Sequence, residues 1–504
     1  MIGPGGPPLL ELRARATPQA PALRDEEAGL TFAELDRSAR SAAAALLEAG
    51  ARAGERVAIL ARRGSDLARW LHAADRVGVT LAPLHLRLAT RELALQLRQG
   101  AFRLIVADSE RAEQAASLGE ELGIGCLEAS AAAPAPSRWP ARGRAPLLLV
   151  HTSGTEGRAR GALLGREALL AGAVASALHL GVVPGDGWYA CLPLYHVGGL
   201  AILVRSALYG IPVLTRSRFD PEDLDRAVEG GEATLLSLVA PMLERWLELR
   251  PHRAPDGLRA VLIGGGPCPE PLLRRGVELG LPLAPTYGLT EASSQVATRS
   301  PAERRPPYGG RLRPLLGTEV RIVGPAGERL PPGTAGEIQV RGPTLMRGYH
   351  GLPEETARAL RGGWLHTRDV GILDDEGGLR VLGRLDDVIV SGGENVAPAE
   401  IEAVLAEHPA VREVAVVGHP DPHFGERPVA YLVATGPLPG SEVLRAFCRA
   451  RLAGHKVPVA FHRVEALPRN ALGKLLRREL RSAGEPRAPS SGGGSGRDAS
   501  PSAP

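Results

Sequence analysis

Lysine is nearly absent. This 504-residue chain carries 60 basic residues, and only Lys456 and Lys474 among them are lysines; the rest are arginines. Arg is a planar fork of five donors and Lys a compact point charge on a flexible stem, so some tasks cannot pass from one to the other. In a chain that has put Arg almost everywhere, each remaining Lys calls for a reason. Cysteine is scarce as well: Cys126, Cys191, Cys268 and Cys448 lie far apart without a CxxC pair, which argues against a disulfide framework and against a zinc site. Long apolar runs are missing. The most apolar stretch, Leu192 to Leu214, is interrupted by His196, Arg205 and Pro212 and does not read as membrane-spanning. The start, Met1-Ile2-Gly3-Pro4, lacks a basic segment leading into an apolar one, so no signal peptide is read there. Neither sign of charge dominates. The formal charge is +4 with a pI near 9.0, and acidic and basic residues alternate without a basic stripe, so nothing points to nucleic acid. Internal repeats are not found. The expectation is a cytoplasmic protein with small-molecule partners, free to form an oligomer of itself.

What is present is a globular composition, 44% hydrophobic and 23% charged, in a chain long enough for two or three domains. Short apolar runs (Val57 to Leu60, Leu104 to Val106, Leu147 to Val150, Thr234 to Leu238, Ala260 to Ile263) read as buried strands. Between them, Ser65 to Val77, Glu167 to Leu180 and Pro269 to Leu279 carry apolar residues at helical spacing. That alternation predicts α/β layers with mainly parallel strands. From about Gly310 to Val340 the texture turns to short strands between Gly and Pro, a β-rich subdomain. After Leu385 a smaller α+β unit is expected: helix Pro398 to His408, strands Val411 to Gly418 and Val429 to Ala434, helix Ser441 to Leu452. The reading divides the chain into 1–385, 386–481 and a Ser/Gly/Pro-rich tail, 482–504, expected to be disordered.

Four segments carry chemistry. His151-Thr152-Ser153-Gly154-Thr155-Glu156-Gly157-Arg158-Ala159-Arg160-Gly161 follows a predicted strand. Its glycines let backbone approach a ligand, and its hydroxyls, amides and cations suit phosphate, though a polar turn fits the same residues. It lacks the GK[ST] ending of a P-loop, which disfavours ordinary P-loop phosphotransfer. Tyr287-Gly288-Leu289-Thr290-Glu291 offers an aromatic face for a base and a carboxylate for magnesium; a buried Tyr and a helix-capping Thr/Glu pair fit as well. Asp369, in Trp364 to Asp369, can accept from paired ribose hydroxyls, and Arg384, in Gly383 to Asp387, can close over the same sugar. Lys474 ends Leu467-Pro468-Arg469-Asn470-Ala471-Leu472-Gly473-Lys474, where Gly473 allows a tight turn that projects an ammonium.

In this order, and with Gly336 to Gly342 and Ser391 to Val396, these segments resemble the adenylate-forming superfamily of acyl-CoA synthetases, luciferases and peptide-synthetase adenylation domains, over about residues 9 to 480. The resemblance implies that Thr152, Ser153, Gly154, Thr155, Gly157 and Arg160 hold ATP phosphates. It places Tyr287, Gly288 and Thr290 at the nucleotide with Tyr287 against adenine, Glu291 on Mg2+, Asp369 and Arg384 at the ribose, and Asp386 at an interdomain hinge. Lys474 matches the C-terminal catalytic lysine, and Lys456, in a Lys-Val-Pro segment, reads as a surface or interface residue. The implied reaction has two halves: a carboxylate displaces pyrophosphate from ATP, then the thiol of coenzyme A displaces AMP while a mobile C-terminal domain withdraws Lys474.

Leu192 to Gly210, Leu262 to Pro267 and Tyr287 to Thr298 resemble in particular the o-succinylbenzoate–CoA ligases of menaquinone biosynthesis. By that likeness His196 lines the acyl pocket, Gly264, Gly265 and Gly266 give a flat wall for an aromatic ring, and Ser294, Gln295 and Arg205 recognise polar ends of a keto-dicarboxylate. Arg205 reads equally as a structural helix cation. Three positions depart from the superfamily pattern: Glu156 where Thr or Ser is usual, Ala159-Arg160 for Pro-Lys, and Arg368 for Gly. Glu156 is expected to turn outward to Arg158 or Arg160. Other acyl-CoA ligases (fatty, aryl or coumarate-like) and a non-catalytic homologue are the competing readings.

Overall fold

The computed structural model describes residues 6–27, 29–152, 160–250, 252–391, 394–469 and 475–483, which form two compact units divided in the chain between Asp386 and Asp387. Among the described residues the first unit holds three sheets.

The largest sheet has nine strands with a parallel middle: Val213–Thr215, Trp188–Ala190, Leu235–Leu238, Ala260–Ile263 and Leu283–Leu289. The first four are buried at every position, which is why they read as unbroken apolar runs instead of alternating ones. Helices Val197–Tyr209, Ala240–Leu249 and Glu270–Glu278 supply the crossovers. Register aligns the carboxyl ends, with Ala190 opposite Ser237, Leu238 opposite Ile263 and Ile263 opposite Pro285. The segments that follow these strands therefore leave one edge of the sheet, the place where open α/β sheets bind ligands.

The second sheet has seven strands, built on parallel Arg56–Leu60, Thr80–Pro83 and Leu104–Ala107. Helix Gly64–Val77 joins the first two and stops at Gly78, which is left-handed at φ 82; a Cβ there would meet the Arg142 carbonyl oxygen at 2.2 Å. At the other side Leu148–Thr152 pairs antiparallel with Arg160–Leu164, which pairs in turn with Gly348–Tyr349. The third sheet is antiparallel and holds Glu319–Val323, Gly336–Arg341, Trp364–Leu373 and Leu379–Arg384. The β-rich region thus extends well past Val340, because Trp364–Leu373 mixes buried and exposed positions without clean alternation and gives a weak strand signal.

In the second unit a long hairpin, Val411–Asp421 with Gly425–Ala434, is packed by helices Pro398–Ala406 and Ser441–Arg449 around Ile401, Leu405, Val416, Leu432 and Leu444. Lys456 Nζ pairs with Glu400 Oε2 at 2.5 Å, both partly buried, so one of the two lysines is a tether inside this unit. The last described helix, Arg477–Ala483, runs beyond residue 482, where the tail was expected to begin; 484–504 lie outside the described residues. No helix among the described residues is long and apolar enough to cross a membrane.

Candidate active site

The five residues from Tyr287 to Glu291 sit where all three sheets of the first unit come together. Tyr287 lies two residues past the parallel pairing of its strand, opposite Ala297 of an antiparallel neighbour, and its hydroxyl donates to Asp369 Oδ2 at 2.6 Å on the third sheet. Arg384 Nη1 donates to the other carboxylate oxygen of Asp369 at 2.8 Å, and the Asp369 N–H donates to Thr367 Oγ1 at 3.0 Å. The Asp369 carboxylate is held at both oxygens and is only 8% exposed, with further lone pairs left to accept from a diol. Burial, then the Asp369 charge, push the Tyr287 phenol well up. Arg384 is raised: burial lowers it, and the carboxylate of Asp369 more than restores it. Gly288 lies at a bulge where a Cβ would strike the Ser294 carbonyl oxygen at 2.1 Å, so this turn admits no side chain.

Four residues on, Glu291 lies in the 3-10 turn Thr290–Ala292 and faces the seven-stranded sheet. Its Oε1 accepts from the Tyr349 hydroxyl at 2.7 Å, and its carbonyl accepts from the Met346 N–H at 2.8 Å. Burial, then the Glu291 charge, push the Tyr349 phenol well up, so it stays a donor. The Arg160 guanidinium lies over the Tyr349 ring, 4.7 Å from its centroid, and pairs with Glu355 Oε2 at 3.0 Å. Thr152 Oγ1 donates to the Arg160 carbonyl at 3.3 Å, joining the two residues that flank the segment expected to hold phosphate. A hard carboxylate with one oxygen fixed and Oε2 unpartnered among the described residues fits a magnesium ion, which prefers oxygen ligands and takes only one or two from protein. A second acidic group, Asp225 and Glu229 beside His252, does not fit one, because Arg250 pairs with Asp225 at 2.5 Å and with Glu229.

The third corner is acyl-facing by expectation. Arg205, on helix Val197–Tyr209, is 3% exposed and has no carboxylate partner among the described residues. Its Nη2 donates to Gln295 Oε1 at 2.8 Å, its face lies 5.2 Å from the Trp188 ring, its Nε is buried and unpartnered, and burial lowers its pKa. Gln295 Nε2 donates to Thr298 Oγ1 at 2.9 Å. The Gln295 amide, expected to meet substrate, is engaged at both ends, by Arg205 and by Thr298. Ser294 stands beside it with φ 110. Of the three wall glycines, Gly265 is left-handed at φ 79, Gly264 would place a Cβ 3.0 Å from Thr286, and Gly266 faces open space. His196 starts the Arg205 helix, and burial holds its imidazole down to about 4, hence neutral at pH 7. Its ring packs 4.6 Å from Tyr195 and 6.1 Å from His85.

Arg368 adopts φ 58, the left-handed conformation that the usual Gly takes without strain, and its guanidinium pairs with Asp386. Arg160, one of the two cations toward which Glu156 was expected to turn, is paired with Glu355. Ser153, Gly154, Thr155, Glu156, Gly157, Arg158 and Ala159 lie outside the described residues, as does Lys474; flanking Lys474, Arg469 and Leu475 face each other in an antiparallel bridge. Tyr349 and His85 carry no motif signal and are known only from their contacts; Thr367 lies inside the Trp364 to Asp369 segment, but no role was expected of it there.

A large unit with nucleotide-type residues at the carboxyl edge of a parallel sheet, followed by a small α+β unit, is the build of an adenylate-forming enzyme. The chain belongs to that family: residues 10–350 match the AMP-binding enzyme model, and residues 400–474 match the AMP-binding enzyme C-terminal domain. Within it, the chain is 41% identical over 477 residues to the 2-succinylbenzoate–CoA ligase of Geobacillus kaustophilus, covering 94% of this chain and 97% of that one. The fold is similar to o-succinylbenzoate coenzyme A synthetase of Bacillus subtilis in complex with the acyl-adenylate intermediate OSB-AMP, with a TM-score of 0.87, 36% identity and coverage of 94% and 98%. The Bacillus subtilis enzyme in complex with ATP and magnesium ion gives a TM-score of 0.86 at 36% identity, covering 94% and 99%.

Proposed function

We propose that this chain is an ATP-dependent acid–thiol ligase that activates 2-succinylbenzoate as an acyl-adenylate, with release of pyrophosphate, and passes the acyl group to coenzyme A with loss of AMP. The observation that carries the choice of acid is Arg205, a buried cation with no carboxylate among the described residues. Such a charge is costly unless a partner arrives. A diacid brings one: the first carboxylate reacts and the second remains. A fatty acid or a coumarate offers no second carboxylate.

In this reading the Tyr287 ring lies against adenine, with Gly288 and Thr290 beside the nucleotide. Asp369, held by Tyr287 and Arg384, accepts from the ribose hydroxyls. Thr152, Ser153, Gly154, Thr155, Gly157 and Arg160 surround the phosphates. Glu291 holds Mg2+, which supplies neutralisation of phosphate charge. Lys474 offsets the repulsion between the incoming carboxylate and the α-phosphate, since an ammonium can serve two oxygens without the fork geometry of Arg. His196 stays neutral and lines the acyl pocket with Gly264, Gly265 and Gly266, and Asp386 is the hinge. The use of ATP and coenzyme A supports a cytoplasmic setting for the reaction.

The test is a product balance. With ATP, Mg2+, coenzyme A and 2-succinylbenzoate, the chain should give pyrophosphate, AMP and thioester in equal amounts, with a kcat/KM above those for a fatty acid, benzoate and coumarate. Preference for one of those acids overturns the substrate assignment. Absence of pyrophosphate with every carboxylate leaves the non-catalytic reading.

A further inference from the structure

Tyr349 has no part in the assignments above, yet it touches two of the groups they depend on. Its hydroxyl donates to Glu291 Oε1 at 2.7 Å, and its ring face carries the Arg160 guanidinium at 4.7 Å. The side chain has little freedom to drift: Tyr349 is 7% exposed, its strand pairs with Leu163 and Ala162, and its N–H donates to Thr356 Oγ1 at 2.8 Å. Arg160 and Glu291 bear opposite charges and form no ion pair with each other; Arg160 pairs with Glu355. Left to electrostatics alone, a long Arg side chain near a carboxylate collapses onto it, and each would then be lost to its own ligand.

We propose that Tyr349 is a positioning residue for adenylation, fixing the metal-binding carboxylate with its hydroxyl and the phosphate-facing cation with its ring, and so keeping the two apart. The inference rests on the reading of Glu291 as the magnesium ligand and of Arg160 as a phosphate contact. Carboxylates that bind metal are themselves held by hydrogen bonds, and loss of such a partner costs about 10–100-fold in metal affinity or activity. Tyr349 supplies that partner on Oε1 and leaves Oε2 to the ion.

Tyr349→Phe removes the hydroxyl and keeps the ring; Tyr349→Leu removes both. Mn2+ binding is read by electron paramagnetic resonance in the presence of a non-cleavable ATP analogue, α,β-methylene-ATP, alongside the Mg2+ dependence of pyrophosphate release. Tyr349→Phe is expected to weaken Mn2+ binding about 10-fold or more, with affinity for the analogue at saturating Mn2+ unchanged. Tyr349→Leu is expected to weaken the analogue as well. Glu291→Gln is the control that separates the two levels. If it loses Mn2+ while Tyr349→Phe binds within about twofold of the parent, outside the second-sphere range, the positioning role is refuted and the Glu291 assignment stands. If Glu291→Gln binds Mn2+ as the parent does, the Glu291 assignment falls and the inference with it.

Discussion

Replacing Arg205 by methionine removes a charge that the folded chain does not neutralise. Three contributions set the outcome. Burying an ion without a counter-charge costs several kcal/mol. Against this, the Trp188 face returns about 2 kcal/mol for a desolvated cation, and the charged hydrogen bond to Gln295 returns about 1.5–3 kcal/mol. These contributions nearly cancel, so Arg205→Met is expected to change the unfolding free energy by no more than about 1–2 kcal/mol in denaturant titration, as for other buried charges replaced by apolar groups. A cation kept for structure alone, whose two contacts outweigh its burial, would give a loss approaching about 3.5–5 kcal/mol, the ring contact and the charged hydrogen bond together. Binding behaves differently, because truncating one member of a buried charge pair costs about 2–5 kcal/mol. At 1.4 kcal/mol per tenfold, that lowers kcat/KM for 2-succinylbenzoate by about 30- to 4,000-fold. The discriminating assay is pyrophosphate release with 2-succinylbenzoate and with 4-oxo-4-phenylbutanoate, which keeps the succinyl arm and lacks the ring carboxylate. The parent should prefer the diacid, and Arg205→Met should lose that preference while using the monoacid as before. An equal fall on both substrates, or a stability loss of about 3 kcal/mol or more, would refute the reasoning.

Lys474→Ala should lose adenylation by about 10²-fold or more, the scale of a removed electrostatic contact, and keep thioester formation from preformed adenylate; the two half-reactions are followed separately by pyrophosphate release and by thioester yield. Arg368→Val should destabilise by about 1–2 kcal/mol, because a β-branched residue resists φ 58, whereas Arg368→Gly should stay within about 0.5 kcal/mol, relief of strain being offset by a more flexible unfolded chain and the exposed pair with Asp386 being weak. Burial holds His72, His151 and His196 at about 4, below the ordinary 6.5, so the unfolded chain binds these protons more readily and stability falls as pH drops from 6.5 to 4. His196→Phe should flatten that fall in denaturant midpoints taken across the same pH range, and an unchanged slope would count against a neutral buried imidazole.

The parallel strands were legible because burial on both faces writes them as short apolar runs, and helix Gly64–Val77 because Leu67, Trp70, Leu71, Ala74 and Val77, all buried, recur at three- and four-residue spacing. The side-chain pairs were not legible. Tyr287 and Asp369 were each singled out, yet nothing local joins them; they meet 82 residues apart because two sheets abut. Arg205 and Gln295 are 90 residues apart, and the amide that looked free for substrate turns out to be engaged by Arg205 and Thr298. Tyr349 gave no signal, since a Tyr in a two-residue strand is ordinary until its partner across 58 residues is known. Of the three glycines read as a flat wall, only Gly265 carries a conformational demand, its φ being 79. Of the two lysines that stood out by rarity, Lys456 has a partner in Glu400 within its own unit. A compact ammonium can be needed for packing as well as for chemistry.

The spacing of Tyr287 and Glu291 suggests why the site needs three sheets. They stand four residues apart, Tyr287 in strand Leu283–Leu289 and Glu291 in the turn that follows, so the chain limits the distance between the Tyr287 corner and the Glu291 corner to about 14 Å. What each corner holds, however, is supplied from elsewhere: Asp369 and Arg384 by the antiparallel sheet, Tyr349 and Arg160 by the seven-stranded one. A displacement of either sheet against the central one would move the partners of one corner relative to those of the other, and in the proposed reading a nucleotide spanning both would lose contacts at one of them. The short polar links Tyr287–Asp369 and Tyr349–Glu291 are the parts of the sheet junctions that tolerate least displacement, because a hydrogen bond weakens within tenths of an ångström where apolar packing slides. Two tyrosine hydroxyls, each donating to a carboxylate on another sheet, thereby align the large apolar layers to the accuracy that the proposed chemistry requires.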